Sequence, residues 1–294
     1  MPHTAMPHTA KPQTAKPQTG KPQTAKAQSL MLAFLGIHVL GRDTAVSSGG
    51  IIDVFDRVGV SEEAVRSTLT RMVRRGLLVR HRSGRRVYFG LTARAADILA
   101  DGHHRVWETG AVNRDWDGTW TLVGFSLPDS RRNERHDLRS QLVWSGFGLL
   151  QNGLWIAPGT KDVVALVEDL GLTDHVNVLT AHAVKPTEAA DLVNKAFDTG
   201  EISTRYRTFL DRWGRRRPMQ DLPDDLARQL LLHTDWLQLV RQDPHLPAEH
   251  LPRGWPAISA ERLFHRLARR YAPAARQVAD SVLDEIPLGD PRTP

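Results

Sequence analysis

The hydrophobic pattern from residue 30 onward predicts three helices in quick succession. The first two are the buried run Leu30–Leu40 and the short apolar segment Ile51–Val58. Ser61 is placed to cap a third helix, which spans about residues 62–75 and ends at Gly76. Three helices this close together indicate a small, compact N-terminal unit.

The third predicted helix has two chemically different faces. Its apolar stripe consists of Ala64, Val65, Leu69, Met72 and Val73. Its other face carries Arg66, Ser67, Thr70, Arg71 and Arg74. Arginine pairs with guanine edges in the major groove and neutralises phosphates, so this face is typical of a helix that reads DNA. A solvated charged face is the alternative that the same pattern allows.

A basic hairpin follows this helix. Strands are predicted at residues 77–79 and 87–91, and the turn between them carries Arg80, Arg82, Arg85 and Arg86. Arginines at a hairpin can simply protect a sheet edge. Next to a basic helix, however, they complete the layout of a winged helix-turn-helix over residues 30–102, which includes a last helix capped by Thr92.

Beyond residue 102 the pattern changes twice. Residues 103–198 alternate between short apolar strands and helices in the order β-α-β-β-α-β, which predicts a ferredoxin-like α/β domain. Residues 199–294 show helical periodicity interrupted by a proline-rich loop. We therefore predict an α+β multidomain protein, with a C-terminal helical domain for dimerisation and effector binding.

The first 29 residues repeat the units MPHTA and KPQTA, with proline in nearly every unit. This composition predicts a disordered tail that either adds nonspecific affinity for DNA or is inert. The tail has a charge of +4 and residues 30–92 one of +5, whereas the remainder has −3. The positive excess therefore belongs to the predicted DNA-binding part, which favours a polyanionic partner.

Other classes of function are disfavoured by composition. The chain has no cysteine, which excludes disulfides, thiolate metal sites and cysteine nucleophiles. The 13 histidines show no spacing typical of a metal site, and we expect neither metal nor cofactor. No apolar run approaches the 20 or so residues of a membrane span, and no signal peptide is recognisable, so we predict a soluble cytoplasmic protein.

Four groups of residues, in order from about residue 30 to about residue 280, carry a resemblance to a known family. They are GVSEEAVRSTLTRMVRRGLL with RRVYFGLT, then WDGTWTLVGFSLP, then SGFGLLQNGLWIAP, and finally LLLHTDWLQLVRQDPHLPAEHLPRGWP. Together they resemble the PaaX family of bacterial repressors, whose best-known members control phenylacetate catabolism. The N-terminal repeat has no counterpart in that resemblance.

The resemblance implies a winged helix-turn-helix similar to that of GntR regulators, a central domain similar in fold to small CRISPR-associated nucleases, and a homodimer. It also implies a repressor that leaves its operator on binding an aryl-acetyl coenzyme A thioester. On this basis Arg66, Ser67, Thr70 and Arg71 are expected to approach base edges. The expected phosphate contacts are Arg74, Arg80, Arg82, Arg85 and Arg86.

The expected effector site is less sharply defined. Trp120 and Trp144 are candidates for an aromatic pocket, although core packing explains a tryptophan equally well. The cluster Arg215, Arg216 and Arg217 could neutralise coenzyme A phosphates or lie in a solvated linker. His233 and Arg241 match the family's C-terminal motif, which leaves them open to a structural or a sensing role.

A metal-dependent nuclease is the alternative function. Its basis is the nuclease-like fold implied for the central domain, with Asp129 following the first strand. A fold does not carry a function, and no second carboxylate is convincingly placed. Asp129 also precedes a helix, where an aspartate commonly caps or turns the chain.

Overall fold

The computed structural model describes residues 21–288, with side chains from Ala27 onward. Residues 1–20 of the predicted tail lie outside this range. The described residues form two four-stranded sheets and ten α-helices. The N-terminal elements are α1 (Lys21–His38), β1 (Thr44–Ser47), α2 (Ser48–Asp56), α3 (Glu62–Arg74), β2 (Leu78–Ser83), β3 (Arg86–Leu91) and α4 (Ala93–Trp107).

Side-chain caps fix where these N-terminal helices begin. The Ser61 hydroxyl accepts a hydrogen bond from the Ala64 amide at 3.4 Å, and the Thr92 hydroxyl accepts one from the Ala95 amide at 3.1 Å. Both caps were predicted from the sequence. Ser47 caps α2 in the same way, through the Gly50 amide at 3.1 Å. Each cap satisfies a backbone donor that a helix start would otherwise leave unpaired.

The central part contains one antiparallel sheet in the strand order β5-β6-β4-β7. Its elements are β4 (Thr119–Phe125), α5 (Arg132–Trp144), β5 (Gly148–Gln151), β6 (Leu154–Pro158), α6 (Val164–Asp169), β7 (Val176–His182) and α7 (Ala189–Ala196). The predicted order of strands and helices is therefore observed. Helix α6 is only six residues long, and residues 161–163 precede it without helical structure.

The C-terminal part is mainly helical: α8 (Thr199–Trp213), α9 (Asp225–Gln242) and α10 (Pro256–Val282), followed by β8 (Glu285–Pro287). Strand β8 was not predicted, and it corrects the assignment of residues 199–294 to a purely helical domain. It pairs antiparallel with β1, so the N-terminal sheet has the order β2-β3-β1-β8. The C-terminal end of the described chain is thus hydrogen-bonded to a strand of the N-terminal unit.

Two helix boundaries also differ from the predicted ones. Helix α1 begins at Lys21 rather than Leu30, because Pro22 lies in its first turn, where a missing amide donor costs nothing. Ala27 of this helix is fully buried. Helix α4 continues past Gly102, which was expected to end it. A glycine inside a helix costs about 1 kcal/mol, and the burial of Val106 beyond it offsets that cost.

The hydrophobic core explains why these boundaries moved. One cluster of buried residues runs through α1, α2, α3 and the three long C-terminal helices, with Phe34, Phe55, Trp213, Trp236 and Phe264 among its largest members. A second, smaller cluster fills the space between one face of the central sheet and α5 and α6. The N-terminal unit and the C-terminal helices therefore share a single core.

Candidate nucleic-acid interface

Helix α3 buries one face and exposes a basic one. Val65, Leu69 and Met72 are buried as predicted, and Thr68 joins them, with its hydroxyl donating to the Ala64 carbonyl at 2.8 Å. The sequence did not indicate the burial of Thr68, which its internal hydrogen bond permits. Four of the five predicted contact residues on the opposite face are exposed: Arg66, Ser67, Thr70 and Arg74.

Two arginines of this face are engaged with their own helix. Arg66 pairs with Glu62 at 2.6 Å, one turn earlier, and both side chains are more than half exposed. Such a pair contributes little to stability and is readily exchanged for a stronger anion. The Arg71 guanidinium is half-buried and donates to the Thr68 hydroxyl at 3.1 Å. The Arg71 side chain therefore lies against the surface of α3 and is less exposed than the other four predicted contact residues.

The β2–β3 hairpin presents the second set of cations. Six residue pairs join its strands, and the turn at Ser83–Arg86 contains Gly84 with a φ of +57°, a conformation that favours glycine. The predicted arginines Arg80, Arg82, Arg85 and Arg86 are all exposed. Helix α3 contacts β2, so the two basic surfaces adjoin. Arg75, which the sequence analysis did not single out, is also exposed between them.

One hairpin arginine has a partner that sequence reasoning missed. Arg86 donates to Asp284 at 2.6 Å, and the Tyr88 hydroxyl donates to the same carboxylate at 2.8 Å. These two hydrogen bonds lower the pKa of Asp284, and the Arg86 pKa is raised in turn. Asp284 immediately precedes β8, which lies nearly 200 residues further along the chain. Nothing in the local pattern around Arg86 could have indicated it.

A separate feature is a cavity of about 570 Å³ enclosed by α1, α4, α9 and α10, with the end of α5 at its side. Three of the residues proposed for effector binding line it: Trp144, His233 and Arg241. The other four do not. Trp120 is buried in the shared core, and Arg215, Arg216 and Arg217 are exposed between α8 and α9.

The cavity wall combines aromatic rings with a few polar groups. Trp107, the last residue of α4, has ring contacts with His103, His233, Phe264 and His265 at centroid distances of 5.1–6.1 Å. Gln229 is 6% exposed, and its Oε1 has no hydrogen-bond partner among the described residues. Buried polar atoms normally have a partner, so this amide is available to a ligand.

Cations lie along the same cavity. Arg105, Arg241 and Arg269 are exposed lining residues, and Arg105 pairs with Asp101 at 2.9 Å. The arrangement suits a molecule with an apolar, aromatic part for the enclosed wall and an anionic part for the open side. No local sequence signal indicated this site, because it depends on the continuation of α4 through Gly102, which brings Trp107 to α9.

Two buried histidines near this cavity are neutral at pH 7. Burial lowers the pKa of His233 to about 3, with His38 and His103 as weaker contributors. The pKa of His38 is lowered to about 4, chiefly by burial, with Arg42 and Arg276 as weaker contributors. In an unfolded chain, both imidazoles would take up a proton near pH 6.5.

We expect the free energy of unfolding to fall as the pH drops below about 6.5. Each histidine that is neutral when folded and protonated when unfolded removes about 1.4 kcal/mol per pH unit. Asp243 has the opposite effect, because burial raises its pKa to about 6. Between about pH 6 and pH 4 its protonation stabilises the folded chain and offsets part of the loss due to the histidines. From pH 7 to pH 5, the free energy of unfolding should fall by about 2 kcal/mol less in His233→Gln than in the parent chain. Denaturant unfolding at the two pH values measures both changes. Equal losses in both would contradict the neutral His233.

The structure offers little for the alternative nuclease. No group of three or more potential ligands that could hold a metal ion exists among the described residues. Asp129 is exposed and pairs with Arg135 at 3.3 Å. The surface around Asp129 is formed by cationic or imidazole side chains, namely Arg132, Arg135, His136 and Arg139. No helix within residues 21–288 is long and apolar enough to cross a membrane.

Comparisons with known proteins agree along most of the chain. Three family models match in order: "PaaX-like protein" at residues 26–95, "PaaX protein central Cas2-like domain" at residues 113–193, and "PaaX-like protein C-terminal domain" at residues 197–281. The transcriptional repressor PaaX of Escherichia coli (strain K12) is 28% identical in a match 259 positions long, and the match covers 84% of this chain and 81% of that protein.

A solved structure supports the same fold. The uncharacterized protein Rv0674 from Mycobacterium tuberculosis superposes with a TM-score of 0.59 at 23% sequence identity, covering 88% of this chain and 99% of that one. At that identity the likeness concerns the fold alone. The three matches in sequence, together with the shared fold, lead to one assignment: this chain belongs to the PaaX family.

Proposed function

We propose that this chain is a transcriptional repressor that binds an operator in double-stranded DNA and leaves it when a small molecule binds. The observation that carries the proposal is the set of exposed arginines on α3 and on the adjoining hairpin, in a chain related to a transcriptional repressor. Enzymatic activity is not part of this function, and the alternative nuclease has no observation in its favour.

In this proposal, α2, α3 and the β2–β3 hairpin act as a winged helix-turn-helix. Helix α3 enters the major groove, where Arg66, Ser67, Thr70 and Arg71 approach base edges. Arg71 would first release its hydrogen bond to Thr68, and Arg66 its pair with Glu62. The remaining cations hold phosphates, and the hairpin follows the backbone or the minor groove: Arg74, Arg80, Arg82, Arg85 and Arg86.

We assign residues 30–102, extended by the start of α1, to the DNA-binding unit. Residues 103–198 form the central domain, for which the strand order β5-β6-β4-β7 supports the ferredoxin-like interpretation. Residues 199–294 supply the effector part, together with α1 and α4, which share its core. A homodimer would place two α3 helices on half-sites about 10 bp apart, or a multiple of that.

The proposed effector site is the cavity between α1, α4, α9 and α10. An aromatic acyl group would pack against Trp107 and Trp144, and a polar group of the ligand would satisfy the Gln229 amide. An aromatic acyl coenzyme A is one such molecule, because Arg105, Arg241 and Arg269 could neutralise its phosphates. To release DNA, the ligand must bind the free form of the protein more tightly than the bound form.

Selection from a pool of random duplexes tests the DNA-binding function directly. We expect enrichment of a single pseudo-palindromic sequence, which should bind at least about 1,000-fold more tightly than unrelated duplex at physiological salt. The readout is fluorescence anisotropy with the full chain at fixed ionic strength. Recovery of no preferred sequence, with equal affinity for all duplexes, would refute sequence-specific repression.

Filling the cavity tests the effector site. Ala272 lines the cavity and is half-buried, so a tryptophan there occupies ligand space without entering the core. We expect Ala272→Trp to keep operator affinity within about threefold while losing release by an aromatic acyl thioester. The matched control replaces Arg215, Arg216 and Arg217 with alanine and should retain release. Loss of release in the control alone would move the site to that arginine cluster, and release by no acyl thioester would refute this ligand class.

A further inference from the structure

Strand β7 is the outer strand of the central sheet and lacks a partner on one side within the described chain. Seven residue pairs, from Thr119–His182 to Phe125–Val176, join it to β4. No other strand pairs with it, because the sheet order ends at β7. Its outer edge therefore presents backbone donors and acceptors to its surroundings, and such an edge is a template for another strand.

Proteins usually protect edges of this kind with charged side chains or proline, and β7 has neither. Its sequence, VNVLTAH, contains no lysine, arginine, aspartate, glutamate or proline. By contrast, the outer strand β2 of the N-terminal sheet carries Arg80 and Arg82. A seven-residue edge without charges or proline favours pairing with a further strand.

The side chains of β7 are exposed on both faces of the sheet. Val178 lies opposite Val123 and is 45% exposed, whereas Leu179 lies opposite Leu122 and is 57% exposed. Neighbouring residues in a strand point to opposite faces, while Val123 itself is fully buried. Both layers that cover the central sheet thus leave its last strand uncovered, as they would if the sheet continued beyond it.

We propose that β7 pairs antiparallel with β7 of a second copy of this chain, so that two four-stranded sheets become one of eight strands. A twofold axis makes the pairing of a strand with its own copy antiparallel. An uncharged strand meets its copy without the like-charge repulsion that destabilises cross-strand pairs. With the axis at Leu179, the middle residue, the two Leu179 side chains face each other and Val178 faces Thr180.

This inference rests in part on the proposed function, which requires two DNA-binding units on one operator. It adds the location of the interface, in the central domain rather than among the C-terminal helices. The two can fail separately. A dimer formed through another surface would leave the repressor function intact and refute the role of β7.

Opposite charges at position 179 provide the test. We expect the full chain to sediment as a dimer, and Leu179→Lys and Leu179→Glu each to raise the dimer dissociation constant by about 100-fold. An equimolar mixture of the two variants should recover the dimer, because the charges then attract across the axis. Val143→Lys, at another exposed apolar residue on α5, is the control and should remain dimeric.

Cross-linking gives a second readout that does not depend on dissociation. The chain has no cysteine, so Leu179→Cys introduces a single thiol. Facing residues of antiparallel strands have Cα separations of about 4.5–5.5 Å, which a disulfide can span. We expect mild oxidation to link two Leu179→Cys chains, and Val143→Cys chains not to be linked.

Three outcomes would overturn the proposal. The first is a parent chain that is monomeric at about 100 µM, well above the dissociation constant expected of a specific dimer. The second is a Leu179→Lys chain that remains dimeric. The third is a parent dimer in which Leu179→Cys and its neighbours Val178→Cys and Thr180→Cys all fail to cross-link. Binding of single half-sites by Leu179→Lys with unchanged affinity would show that the DNA-binding unit remains folded.

Discussion

Replacing both Arg82 and Arg85 with alanine should lower the affinity of the chain for operator and for unrelated duplex alike, by about 100-fold at 0.1 M salt. Both guanidinium groups are exposed on the hairpin, and neither has an ion-pair partner among residues 27–288. Each phosphate neutralised contributes about 0.9 units to the slope of log affinity against log salt. The slope of the double variant should therefore be about two units shallower than that of the parent chain.

The control for this prediction removes the same charge elsewhere. Arg132 and Arg139 are exposed on α5 in the central domain, and their replacement by alanine lowers the net charge equally. We expect that variant to keep the parent affinity within about threefold and the parent salt slope. Equal effects of the two double variants would mean that net charge, rather than the hairpin, attracts DNA. Anisotropy titrations at several salt concentrations provide both quantities.

Arg86 is expected to contribute less than its neighbours on the hairpin. Its guanidinium already donates to Asp284, so a phosphate would have to compete with a carboxylate at 2.6 Å. The sequence analysis treated the four hairpin arginines as equivalent. The structure separates them because Asp284 is brought to the hairpin by β8.

Truncating Trp236 to alanine should lower the free energy of unfolding by about 3–5 kcal/mol. Its indole is 1% exposed, is stacked on Phe264 at 4.9 Å with an interplanar angle of 10°, and contacts Phe209 at 5.4 Å. These rings belong to the core shared by the N-terminal unit and the C-terminal helices. The cavity left in a core of this size cannot close without moving α9 against α8 and α10.

Trp144 provides the matched control for this truncation. It is 63% exposed at the end of α5, so alanine there should change the free energy of unfolding by no more than about 0.5 kcal/mol. Both variants are compared by urea unfolding, in which the midpoint reports stability and the slope reports the surface exposed. A loss below about 1 kcal/mol in Trp236→Ala would contradict the described packing.

Much of the fold was predictable because local patterns dictate it. The alternation of apolar and basic residues in α3, the caps at Ser61 and Thr92, and the glycine at the hairpin turn each depend on residues within one or two turns of chain. The strand and helix order of the central sheet followed from the same short-range periodicity. Four of the five candidate contact residues on α3 are exposed for this reason.

The features that were missed all join distant parts of the chain. Helix α1 extends back to Lys21 and α4 continues through Gly102 because both helices pack against α9, more than 110 positions away. The local signals, a proline in nearly every unit of the tail and a glycine, opposed a helix in both places. Tertiary burial outweighed them, since the packing of an apolar face contributes more than helix propensity.

By itself, the sequence determined most of the helices and strands in the N-terminal and central parts, although not β1, and it determined which surface of α3 is basic. Only the tertiary structure decided that Asp284 holds Arg86, that Trp107, Gln229 and His233 meet at one cavity, and that the outer side of β7 has no partner strand within residues 21–288. Short-range periodicity specifies which way a side chain faces. Which partner it meets depends on how elements far apart in the sequence pack around a common core.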